Sequence, residues 1–554
     1  MKKSTASDGS VGIFAALAGR FIPDPKTRLG VKMSFASFCE DFALFRLYRK
    51  LVDAFLKTNL RASSGGFFAF GFLVALFSFI KASSGGAADR VPGIVFGLAV
   101  ILGSVPMAFS NSRWSETLQR SRIADGWLGY VCGYRAGEIR RDGVSPRGGV
   151  GFVVTGVVAG LLTAFFDPFT VVMGICGTVL ALQILYKPEI GLSLEILCFA
   201  FVPRTGLLIL ALFTLFAYAV KVLRGKRVFS VNSCDVLIFL LFVFWISGAF
   251  FGLVEPMGML LAFVLCFLFS KLVVTADMAR RLSGLFVFTL LAFSVSFFFI
   301  GFVRDPSNAL ANYVRSVFDP DENTFVVPID TVMMLLPVAA VGVLKKGAMK
   351  FISFAALALG LCTLLFSGSS GALLCFFVSL ILLAVILGKK MIWLAAGTVA
   401  VAGAVTAIFY SSVVPLFTGI PGLFSNALAG FTPSFDAVFN RPLLCVIFGE
   451  IGVGDTGLSF WPDLMIRFGL AGLFIYLLTL ASVLRRAYLR FKGERGRISR
   501  LAMGLSVAVA TILLRGTTAL ITVQSGAFVF SWLLLGLLCG LGEIGPREKP
   551  VKEW

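Results

Sequence analysis

From residue 66 onward the chain alternates long apolar runs with short polar, basic or glycine-rich stretches. Sixteen apolar segments can be delimited, at roughly 66–80, 91–110, 150–166, 169–186, 189–202, 205–220, 235–254, 257–275, 283–303, 329–344, 351–366, 371–387, 391–409, 462–484, 501–521 and 525–542. A water-filled surface would demand a polar stripe on each, and most lack one, so the surrounding solvent is lipid. A full crossing takes about 20 residues, and several segments fall short; 189–202 and 205–220 read as one broken hairpin, which leaves about 14–16 spans. Backbone groups in lipid must bond within their own segment, so these runs predict helices. The expected fold class is all-α, a polytopic transmembrane helical bundle.

The first 65 residues differ. They hold no long apolar run and do not form a signal peptide. Ser37-Phe38-Cys39-Glu40 has the spacing of a capping box. Phe38, Phe42 and Phe45 then repeat at helical spacing, interleaved with Arg46, Arg49, Lys50 and Lys57. This predicts an amphipathic helix on the inner membrane surface or a solvated helix docked on the protein's own loops.

Composition strengthens the membrane reading. Of 554 residues, 58% are hydrophobic and 14% charged, where soluble proteins carry about 25% charged residues. That excludes a soluble enzyme, a disordered chain, a coiled coil and a secreted disulfide scaffold. Lys and Arg number 49 against 29 Asp and Glu, a net charge of +20. With the N-terminus inside and sides alternating, the inner segments, counting Lys271 at the inner end of 257–275, carry 41 Lys and Arg; the outer loops carry six, at Lys81, Arg90, Arg204, Arg304, Arg315 and Arg441. Such a bias sets orientation and accounts for the charge without nucleic acid. Both termini are therefore expected in the cytoplasm.

The chemistry is sparse. There is no histidine, which removes the commonest general base and metal ligand. The ten cysteines lie mostly in or beside apolar runs, none as CxxC, and read as small apolar residues. No metal-ligand cluster is visible, and no cofactor is implied. Ala62-Ser63-Ser64-Gly65-Gly66 recurs as Ala82-Ser83-Ser84-Gly85-Gly86, and both copies read as flexible linkers. Gly452-Val453-Gly454-Asp455-Thr456-Gly457 matches G-x-G-x-x-G but lacks the strand and helix a nucleotide site needs; it reads as a turn where the chain re-enters the membrane.

Charges inside the apolar segments are more informative. Arg467 lies near the outer end of 462–484, and Arg515 in the outer half of 501–521. A central arginine costs about 2.5–3.5 kcal/mol on insertion scales, so it faces a partner or a cavity. Two arrangements fit: the arginines snorkel or pair with Asp330 or Asp463, or they face an outer cavity that binds an anion bidentately. Glu195, inside 189–202, reads as half of a pair with an arginine or as a protonated carboxyl. Two long outer loops, 304–328 and 410–461, are the natural carriers of function.

The C-terminal half resembles the bacterial O-antigen ligases and polymerases. The resemblance rests on Arg441-Pro442-Leu443 followed by Phe448-Gly449-Glu450-Ile451-Gly452-Val453-Gly454, on Trp461-Pro462-Asp463-Leu464, and on Arg467-Phe468-Gly469-Leu470-Ala471-Gly472-Leu473. It is joined by the hairpin Leu364-Leu365-Phe366-Ser367-Gly368-Ser369-Ser370-Gly371-Ala372 and by Arg304, Asn308 and Asn312. Ser370 stands where the family's hairpin commonly carries arginine, and Pro462-Asp463 where ligases carry histidine. The resemblance implies a core over 189–542, preceded by accessory spans over 66–188 with a basic cytoplasmic loop at 111–148, and followed by a cytoplasmic tail at 543–554.

It also implies residence in a bacterial cytoplasmic membrane and transfer of a glycan from a polyprenyl-pyrophosphate carrier, with membrane lipid around it. Asp463 would be the base, with Arg467 and Arg515 stabilising the departing pyrophosphate; Arg304, Arg315, Arg441, Glu450 and Asp455 would contact substrate. The alternatives are an anion transporter of bicarbonate type, a small-solute transporter, or a non-catalytic relative.

Overall fold

The computed structural model describes residues 50, 52–83, 87–121, 147–199, 202, 204–223, 231, 233–250, 256–304, 329–345, 347–410, 414, 417–422, 436, 438–449, 460–493, 497–518 and 526–544. Most of the expected amphipathic helix, the loop 305–328 and the G-x-G-x-x-G stretch lie outside these residues. Among those described there is no strand, only an isolated bridge between Asn59 and Arg113. Among the described residues, eleven helices are long and apolar enough to cross a membrane, and four shorter apolar helices accompany them. The protein is an all-α, multi-pass membrane protein.

The chain divides into two compact units, one of residues 1–190 with 216–228, the other of 191–215 with 229–554. The first contains α1 (Leu60–Ser83), α2 (Ala87–Ala108), α3 (Trp114–Arg120), α4 (Arg147–Leu162) and α5 (Pro168–Tyr186). Its packing corrects the linker reading of Ala62–Gly66: these residues form the first turns of α1, with Ser63 and Gly66 buried. The reason is packing against α4. A Cβ on Gly66 would sit 2.3 Å from the Phe152 carbonyl oxygen, and one on Gly156 would sit 2.1 Å from that of Gly66. Small residues let membrane helices touch backbone to backbone, where no hydrophobic effect drives them together. The serines satisfy themselves: Ser63 Oγ donates to the Leu60 carbonyl at 2.9 Å and accepts from Trp114 Nε1 at 2.9 Å.

The boundary between the units falls within two helices, α6 (Glu189–Cys198) and α7 (Arg204–Leu223). At a rise of about 1.5 Å per residue, α6 is far too short to cross a bilayer. α6 ends at Cys198 and α7 begins at Arg204.

The second unit continues with α8 (Ser233–Phe250), α9 (Pro256–Leu272), α10 (Ala276–Arg304), α11 (Ile329–Val343), α12 (Ala348–Phe366), α13 (Ser370–Leu387) and α14 (Lys389–Ile408). It closes with the short α15 (Leu443–Phe448), then α16 (Phe460–Gly493), α17 (Arg497–Thr518) and α18 (Gly526–Glu543). Two helices form its interior. Nearly every residue of α11 and of α18 is buried, whereas α14 buries only Met391, Thr398 and Ala402. Glycines set the spacing again: a Cβ on Gly536 of α18 would meet the Cys266 carbonyl oxygen of α9 at 2.3 Å, and one on Gly342 of α11 would meet Ser353 Oγ at 2.4 Å. No disulfide links the described cysteines.

Beyond the C-terminal end of α11, Lys345 donates to Ser283 Oγ at 2.9 Å. Burial, and then the like charge of Arg280, hold this ammonium below the usual lysine range. Lys271 pairs with Asp235, and Arg490 donates to the Leu541 carbonyl.

Candidate functional site

The site is built on a break in α16. Gly469 has φ +66° and ψ −177°, so the helix is two pieces, Phe460–Phe468 and Leu470–Gly493. The break is held open by α15, which ends at Gly449 with φ +89°. A Cβ on Gly449 would lie 2.3 Å from the Arg467 carbonyl oxygen, and a Cβ on Gly469 would lie 2.2 Å from that of Ile447. Two backbones therefore cross in contact, and only glycine fits at either point. Val438 packs on Met465 and Ile466 of the first piece, with Leu473 against them.

This short piece carries the first ion pair. Arg467 Nε donates to Asp463 Oδ1 at 2.8 Å, one helical turn away. The acid sits in the first turn and the base in the last, each where the helix dipole favours its charge. Both side chains are closed off, at 8% exposed for Arg467 and 3% for Asp463.

The second ion pair joins distant elements. Arg515, in the last turn of α17, donates from Nε to Asp330 Oδ1 at 2.9 Å. It also donates from a terminal nitrogen to Ser369 Oγ at 3.2 Å. Asp330 opens α11, and Ser369 caps α13, accepting from Ala372 N at 3.4 Å. Ser367 Oγ accepts from Ser369 N at 3.3 Å, and Gly368 turns the chain between them at φ +73°. This pair is the more open one, with 13% of Arg515 and 28% of Asp330 exposed.

Both pairs lie at one end of the unit. A Cβ on Gly516, next to Arg515, would sit 3.0 Å from Cβ of Phe460, the first residue of the piece that carries Asp463 and Arg467. Of the other expected site residues, Arg304 ends α10, and its side chain lies outside the described residues, as do Arg315, Glu450 and Asp455 altogether. Arg441 is half-buried just before α15. Sequence reasoning named Asp330 only as a pairing partner and gave Ser369 no role. An acid opening an apolar run, and a serine at the N-cap of the next, were the available signals. Among the described residues, no group of three His, Cys, Asp or Glu could hold a metal ion.

Arg467→Ala would leave Asp463 buried without its ion pair. The expected loss of stability is about 3–5 kcal/mol. Melting curves of Arg467→Ala, Asp463→Ala and the double variant check this. The double variant should lose less than the sum of the singles, and strict additivity would show the two residues uncoupled.

These features define a class, a polytopic α-helical membrane protein with paired arginines at one end of its larger unit. No protein-family model matches the chain, and comparison with curated proteins and with solved structures finds no match.

Proposed function

We propose that the protein transfers or polymerises polyprenyl-pyrophosphate-linked glycan on the outer face of a bacterial cytoplasmic membrane. The observation that carries the reading is the junction of Arg515 with Asp330 and Ser369, beside the piece that holds Arg467. In such a transfer the acceptor hydroxyl oxygen attacks the anomeric carbon. The bond from that carbon to the phosphate oxygen breaks, and the carrier pyrophosphate departs. Positioned guanidinium groups in a poorly hydrated site stabilise the leaving charge. The hydroxyl proton passes to a carboxylate. Asp330 suits that role better than Asp463, which is almost fully enclosed with Arg467.

The test uses purified protein, a lipid-linked oligosaccharide donor and detection of a lengthened product. Asp330→Asn is expected to lose turnover by about 10²–10⁴-fold while donor binding persists. Unchanged turnover would remove Asp330 from the chemistry. A second reading, an anion transporter, draws on the break at Gly469, because transporters often place a discontinuous helix at the substrate site. Accumulation of labelled anion in proteoliposomes, with no lengthened glycan, would favour it.

A further inference from the structure

Glu195 stands apart from this site. It lies on α6 within the second unit, 1% exposed; neither carboxylate oxygen meets a donor at full hydrogen-bond geometry, and the Thr214 hydroxyl of α7 lies within reach of the carboxyl. It belongs to no ion pair among the described residues. Among the described residues, no arginine supplies the partner that was one of the two expectations from sequence.

Three helices close around this turn of α6. On α7, Thr214 Oγ1 would lie 2.2 Å from a Cβ placed on Gly191, one turn before Glu195. That hydroxyl donates to the Leu210 carbonyl at 2.8 Å, so its lone pairs remain to accept or to coordinate. On α10, Thr289 Oγ1 donates to the carbonyl of Ile196, the next residue, at 3.4 Å. From α18, the ring of Phe530 meets Phe199 with centroids 4.8 Å apart. The titratable group that feels Glu195 is Cys198, three residues further along α6. The neighbouring helices thus bring the Thr214 hydroxyl to the carboxyl, and a second threonine and an apolar ring to the residues beside it, and no Lys or Arg among the described residues pairs with it.

A bare carboxylate enclosed in this way is among the costliest arrangements a folded chain can hold, and it is relieved by a bound positive charge. A carboxylate with a threonine hydroxyl nearby is a donor set of hard oxygens, which suits small hard cations. We infer that Glu195 is a cation-binding carboxyl, neutralised in the folded bundle by a proton or by a small monovalent cation such as sodium. This is independent of the glycan-transfer reading, because it uses none of the residues of that site.

The full-length protein in detergent provides the test. Its melting temperature is followed over a rising pH series in choline chloride, and then at the alkaline end as sodium chloride replaces choline. In the wild type the melting temperature should fall as the pH rises. A saturable recovery with sodium assigns the site to sodium, and a fall without recovery assigns it to the proton. Glu195→Gln should lose both responses. If wild type and Glu195→Gln respond alike in both series, the proposal is overturned. Should Glu195→Gln fail to fold, the wild type is treated with a hydrophobic carbodiimide and the modified residue mapped by mass spectrometry. Labelling of Glu195 that alkali or sodium suppresses supports the site. No labelling, or labelling insensitive to both, overturns it.

Discussion

Arg515→Ala is expected to cut carrier-dependent glycan transfer by about 10²–10³-fold, the usual effect of removing one preorganised donor to a developing oxyanion. Arg515 reaches Asp330 at 2.9 Å and Ser369 at 3.2 Å, so it also ties α17 to the N-terminal ends of α11 and α13. Loss of those bonds should cost about 1–3 kcal/mol, as for other part-buried polar groups left unmatched. The two effects separate experimentally. Arg515→Lys keeps the charge but lacks the planar fork, so it should restore much of the stability and little of the rate. Product lengthening and melting temperature are measured on the same preparations. Full transfer by a destabilised Arg515→Ala protein would show that the residue only braces the helices.

The second large effect is expected at Gly469. Alanine there would place Cβ 2.2 Å from the Ile447 oxygen and 2.5 Å from Gly449 N, at φ +66°. Neither neighbour is the flexible tip of a side chain; both are backbone. The clash and the left-handed conformation act together, and the expected cost is about 3–5 kcal/mol. Gly469→Ala should accumulate poorly and elute aggregated in size-exclusion chromatography. Gly403→Ala is the control, because nothing lies within 4 Å of a Cβ at that position. Equal behaviour of the two variants would mean that α15 does not seat in the break.

The positions of the helices were legible because lipid offers the backbone no hydrogen bonds, so each long apolar run had to be helical. The segment expected over 371–387 appears as Ser370–Leu387, and that over 391–409 as Lys389–Ile408. The first helix, Leu60–Ser83, extends beyond the apolar run 66–80 at both ends. Ser63 and Gly66 look like linker residues one by one, and only their contacts with Trp114 and α4 show them to be helical. The break in α16 was hidden for a similar reason: Gly469 sits in a run that is apolar on both sides, and its conformation depends on Gly449, twenty positions earlier.

Read residue by residue, the chain already announces a lipid-embedded, helical protein in which Arg467, Arg515 and Glu195 are the charges in apolar surroundings that need an explanation. Those conclusions rest on local composition, which each segment carries alone. Which helices are interior emerges from the packing of the fold, since α11, α18 and the exposed α14 are all apolar. It alone paired Arg515 with a carboxylate 185 positions away and left Glu195 outside every ion pair among the described residues. Partner choice depends on which helix ends meet, and a uniformly apolar helix does not encode which neighbour it will touch.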